Sequence, residues 1–115
     1  MSDNVIKYLE DILECINNIN DFFINEEKTF KNFSGNKLLR YASERNLEII
    51  GEATNRIKKV APGLVIKNNT QIINLRNLII HSYDNINHEV LWAIIINDLP
   101  ELKIEIEELI NKIKN

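Results

Sequence analysis

The sequence predicts an all-α protein, an antiparallel bundle of four to five helices, on three observations. Apolar residues recur at three-and-four spacing over long stretches, no segment alternates as a strand would, and only three Gly and two Pro interrupt 115 residues. At 44% hydrophobic and 27% charged, the chain has the balance of a folded protein. Its length suits one core, so residues 1–115 are expected to form a single helical domain.

The elements follow in order. Val5, Ile6, Leu9, Ile12, Leu13, Ile16, Ile19 and Phe23 mark a first helix over about residues 3 to 24, behind the cap types Ser2 and Asp3. Residues 25 to 35 are polar but carry Phe30 and Phe33, and read as a connection with a short helical turn whose rings plug the end of the bundle. Leu39, Ala42, Leu47, Ile49, Ile50, Ala53, Ile57 and Val60 mark a second long helix from about Asn36 to Val60, ended by Pro62-Gly63. After a loop at 61 to 69, Asn69 or Thr70 can cap a third helix running to about His81. It is apolar over most of its circumference, as expected of a helix buried between partners. Asp84, Asn85 and Asn87 are turn and cap types, and Val90 to Ile95 define a fourth helix. Asp98-Leu99-Pro100-Glu101 offers a capping acid and a proline at a helix start, so a fifth helix is expected from near Pro100, with its stripe at Leu102, Ile106, Leu109, Ile110 and Ile113.

Composition excludes several functions. A net charge of −3 argues against non-specific nucleic-acid binding by bulk electrostatics, so any RNA contact must be local. No apolar run approaches the roughly 18 residues of a membrane span, and the charged N-terminus is no signal peptide; no membrane role and a cytoplasmic location are expected. Cys15 is alone and reads as a buried thiol of the first helix. No cofactor is expected.

The chemistry concentrates in Leu75-Arg76-Asn77-Leu78-Ile79-Ile80-His81-Ser82-Tyr83. Arg and His are rarely set among Ile and Leu without a partner, because an unpaired buried charge is costly. At about 100° per residue, Arg76 and Tyr83 share a face, whereas His81 lies roughly 140° from Arg76. Two arrangements would bring them together: fraying at Ser82–Asp84, or a second copy facing the first across a two-fold axis. Such a groove suits metal-independent cleavage of an RNA phosphodiester. His81 can take a proton from a 2′-hydroxyl or give one to the leaving oxygen. Arg76 presents a fork of donors to phosphoryl oxygens. Asn77 can orient His81 or a phosphate oxygen, and Tyr83 can stack on a base. The bland alternative is a salt-bridged or surface Arg and His pair.

These residues resemble the Arg-x4-His-x-Tyr motif of the HEPN superfamily, specifically of HepT-like toxins encoded beside a minimal nucleotidyltransferase antitoxin. Arg45-Asn46-Leu47-Glu48-Ile49-Ile50-Gly51-Glu52-Ala53 resembles the second-helix motif of that family, and Trp92 with Asp98-Leu99-Pro100-Glu101-Leu102-Lys103 resembles its C-terminal pattern. The similarity covers about residues 3 to 110. It implies a homodimeric helical bundle that cleaves RNA without a metal, with Arg76 and His81 of each subunit in a shared cleft. It further implies neutralisation by the partner nucleotidyltransferase through transfer of AMP to Tyr83. A different class of function stays open: a catalytically idle dimeric module that binds and regulates that partner.

Other polar residues have quieter readings. Glu48 and Glu52, four apart on one face, are expected in a solvated or hydrogen-bonded role, with one of them orienting Arg76 or Arg45 in the core. Gly51 in mid-helix suggests close helix approach. His88 is expected exposed beside a cap, and Trp92 in the core. A metal site of His81, Asp84 and His88 has looser spacing than known sites favour.

Overall fold

A computed structural model describes residues 3–81 and 88–115, with side chains at 4–75 and 88–115. Helix α1 (Asp3–Asp21) buries the expected stripe, with Leu9, Ile12, Ile16 and Ile19 all closed to solvent. It stops at Asp21, short of residue 24, because the bonds tighten from one turn to a shorter one: Phe23 N–H donates to Asn20 O and Ile24 N–H to Asp21 O. That turn delivers the Phe23 ring to Trp92, edge on, at 5.8 Å.

Helix α2 (Phe30–Gly35) is a short turn capped by Thr29, whose hydroxyl accepts from Asn32 N–H at 3.2 Å. Phe33 is fully buried against Trp92, centroids 5.4 Å apart, and plugs the bundle end as expected. Phe30 does so only in part: it is 37% exposed and reaches Trp92 by its edge. Asn36 then caps helix α3 (Lys37–Val60), its Oδ1 accepting from Leu39 N–H at 3.0 Å. Lys58 and Lys59 in the last turn of α3 suit the negative end of the helix dipole.

The α1 and α3 helices run antiparallel, since Asn18 meets Asn46 at 3.2 Å while Arg56 lies over the Tyr8 ring at the other end. Helix α4 (Thr70–His81) returns along α3, burying Ile72 and Leu75. Helix α5 (His88–Ala93) leads into helix α6 (Leu99–Lys114), which runs back along α1, with Lys114 3.7 Å from Glu10. Leu102, Ile106 and Ile110 are buried on α6, and Leu109 and Ile113 pack against the same core.

The break expected at Asp98 is absent. Ile94–Asp98 is a π-helical stretch joining α5 to α6, both Ala93 and Asp98 are right-handed helical, and Asp98 makes no side-chain cap bond. A proline inside a helix removes one N–H and crowds the carbonyl four residues back. The wider turn, in which Leu99 N–H reaches back to Ile94 O, accommodates Pro100 without a stop. The result is an all-α antiparallel bundle. Among the described residues, no helix is long and apolar enough to cross a membrane.

Candidate active site

The sequence motif begins on α4. Arg76, Asn77 and His81 occupy its last two turns, and His81 is its final residue. Helix formation here follows from the run of Leu and Ile and from Asn69, whose backbone carbonyl accepts Ile73 N–H at 3.0 Å. Buried Ile72 and Leu75 anchor α4 against α3, and the π stretch touches its other flank. The side chains of Arg76, Asn77 and His81 lie outside the described residues, as do Tyr83, the expected fraying at Ser82–Asp84 and the Asp84 of the alternative metal site.

The second-helix motif is described in full. Arg45 Nη1 stands 3.3 Å from Glu48 Oε1 and 3.8 Å from Glu52 Oε1, so both glutamates meet one arginine. The orienting role expected for one of them is thus met at Arg45, but on the surface and not in the core, because the Arg45 side chain is 60% exposed. Ion pairs this open typically contribute about 0.2–1 kcal/mol. Gly51 is buried on the same helix.

Three further expectations are decided by packing. Cys15 is 5% exposed, and burial, with Glu14 adding to it, pushes its thiol up to about 11, which leaves it the inert core thiol expected. Trp92 is half-buried among Phe23, Phe30 and Phe33. His88 is not exposed: it is half-buried, with Nδ1 3.2 Å from Ser34 Oγ. Proximity in space, not in sequence, makes that contact, which is why a cap reading missed it. Around it, burial raises the Glu44 carboxyl above its ordinary range while Arg40 and His88 oppose the rise. Arg40 also donates to the Ser34 carbonyl. At Asp98, burial and then Glu101 hold the carboxyl high.

At the start of α4, sequence reasoning passed over Glu105 and saw in Asn69 only a cap. Glu105 of α6 accepts Lys67 N–H at 2.7 Å, Asn68 N–H at 3.0 Å and Asn68 Nδ2 at 3.0 Å, pinning the loop that leads into the motif helix. Asn69 is 3% exposed, and its buried Nδ2 meets no hydrogen-bond acceptor among the described residues. Glu105, one of four Glu on α6, carried no signal of its own, whereas Asn at a helix start did, for capping alone.

A bundle of this topology with an Arg-x4-His motif closing its α4 helix defines a class, and comparison with known proteins identifies it. The chain belongs to the HepT-like family: residues 5–109 match the family described as ribonuclease HepT-like. A candidate RNase of Methanocaldococcus jannaschii is 38% identical over 112 residues, 93% of this chain and 98% of that protein. A candidate ribonuclease HepT of Thermococcus cleftensis is 36% identical over 106 residues, 89% of this chain and 92% of its own length. A candidate RNase of Caldanaerobacter subterraneus is 34% identical over 111 residues, 93% and 95% of the two chains. No solved structure matches the chain at a significant level.

Proposed function

We propose that the protein is a metal-independent ribonuclease, the toxin of a pair whose antitoxin is a minimal nucleotidyltransferase. The observation that carries this reading is the Arg76-x4-His81-x-Tyr83 sequence motif, whose Arg76 and His81 fall in the last two turns of α4, in a chain that matches the ribonuclease family over residues 5–109. Arg76 would hold the scissile phosphate, His81 would move the proton, and Asn77 and Tyr83 would support the RNA. Two copies of α4 meeting across a two-fold axis would supply both pairs of groups to one cleft. Transfer of AMP to Tyr83 would add a negative charge and a nucleoside beside Arg76, closing the cleft by charge and by bulk.

The test is incubation of purified protein with total RNA, with and without EDTA, beside Arg76→Ala and His81→Ala. Cleavage that survives EDTA and falls about 10²-fold or more in either variant, with helicity unchanged, is expected. Cleavage restored by a divalent metal after EDTA would overturn the mechanism. A dimer that cleaves nothing, yet binds a nucleotidyltransferase, would replace the toxin with a regulatory module.

A further inference from the structure

A cavity of about 290 Å³ opens where the end of α3 and the loop at 61–69 meet the start of α4, away from the proposed cleavage motif. Its walls are apolar at Ile57, Leu64, Ile66 and Ile73. Asn69 lines it too, and carries the buried Nδ2 that meets no acceptor among the described residues. A buried donor left unmade is destabilising, and its retention calls for an acceptor. The start of α4 adds the positive end of its dipole.

Lys58 lines this cavity and also a neighbouring, more polar groove of about 510 Å³, which Arg56 and Lys59 share with Glu52. Among the described residues, no carboxylate lies within ion-pair distance of Arg56, Lys58 or Lys59, and the Glu52 carboxylate faces Arg45. In a chain of net charge −3, Lys58 and Lys59, with Arg56 whose guanidinium lies over the Tyr8 ring, gather positive charge beside an apolar slot. The two halves match the two halves of one ligand.

We propose that this slot binds a nucleotide, with its phosphate at Lys58 and the adjoining Arg56 and Lys59, and its base in the cavity accepting a hydrogen bond from Asn69 Nδ2. Phosphate contacts of this kind position a strand, while the base-edge contact selects a base that offers an acceptor. Asn69 precedes Arg76 and His81 by about 10 and 18 Å along α4. The slot therefore holds a nucleotide flanking the reacting one, and to that extent it rests on the ribonuclease reading; a free nucleotide would use the same groups.

The experiment uses the ¹⁵N-labelled full chain, titrated with the four nucleoside 5′-monophosphates and, separately, with a mixed-sequence 2′-O-methyl oligoribonucleotide that cannot be cleaved through its 2′ position. The Asn69 side-chain amide signals, assigned by their loss in Asn69→Asp, should move on binding. Asn69→Asp keeps a residue able to cap α4 while removing the donor, and should weaken binding about tenfold. Lys58→Ala, at an exposed position, should weaken it several-fold. A response to the oligonucleotide assigns the slot to an RNA residue, and one to the monophosphates assigns it to free nucleotide. Asn69 signals that stay still at saturation with both probes overturn the proposal, as does a folded Asn69→Asp that binds like the parent. Should that variant lose its fold, the wild-type signals and Lys58→Ala decide. Cleavage of RNA by the wild type is read separately, so failure of the ribonuclease reading and failure of the slot are distinguishable.

Discussion

The connections on either side of α3 are built on different principles. Residues 22–36 have their backbone capped from within, by Thr29 at α2 and Asn36 at α3, while the Phe33 ring and the Ser34 hydroxyl reach across the fold to Trp92 and His88. Residues 61–69 are held from outside, by the carboxylate of Glu105 reaching their backbone from α6, some 37 residues further on. The backbone of the first is capped by groups a few residues apart, whereas that of the second is held by a carboxylate from another helix. It is the second that borders the proposed nucleotide slot and leads into the motif helix, held there by one half-buried side chain of α6.

The sharpest way to break this contrast is to remove the plug. Phe33→Ala should cost about 3–5 kcal/mol, because Phe33 is fully buried and its ring packs on Trp92. Urea unfolding followed by far-ultraviolet circular dichroism would measure it. A loss below about 1 kcal/mol would mean that the caps at Thr29 and Asn36, and not the ring, hold the first connection.

Glu105→Ala tests the other side. It deprives two backbone N–H groups of a charged acceptor, yet Lys67 is exposed and water can replace the carboxylate, so about 1–2 kcal/mol is expected. Hydrogen exchange at the Lys67 and Asn68 amides should speed up well before global stability changes. Unchanged exchange there would show that the loop holds its shape alone.

The contrast also explains what was legible in the sequence. Helix spacing, the turn with Phe33, the start of α3 at Asn36 and the end at Pro62 all follow from neighbours within about one turn. What was missed was made across the fold. The Glu105 clamp and the Ser34–His88 contact join segments far apart in sequence. The Asp98-Leu99-Pro100-Glu101 signal marked where α6 begins but not how: continuity with α5 through a π-helical stretch replaced the stop that capping residues imply. At the site, the motif was read on α4 and its helical seat is seen, while the buried Asn69 amide was hidden behind an ordinary capping role.

Smaller effects sharpen the comparison. Asn36→Ala should cost about 1 kcal/mol, the usual value of a lost cap, and should leave exchange at residues 61–69 untouched. Urea unfolding and amide exchange together check both halves of that statement. Coupling between the two connections would appear as faster exchange at Asn68.

The smallest expected change is Ser34→Ala. Its hydroxyl meets His88 Nδ1 at 3.2 Å, tying the first connection to the start of α5, the point at which the chain returns from the motif. His88 is half-buried, so water can satisfy the freed ring nitrogen, and the Ser34 carbonyl keeps its bond from Arg40, which the substitution does not touch. The net cost should be about 0.5 kcal/mol, the lower end for a single hydrogen bond. RNA cleavage measured beside stability gives this variant its use. If cleavage falls several-fold while stability barely moves, the first connection also positions the far flank of the motif, and the division between a structural connection and a site-bordering one would have to be redrawn. If both stay near the parent, the first connection serves the fold alone, and of the two the Glu105-held loop is the one that leads into the motif helix.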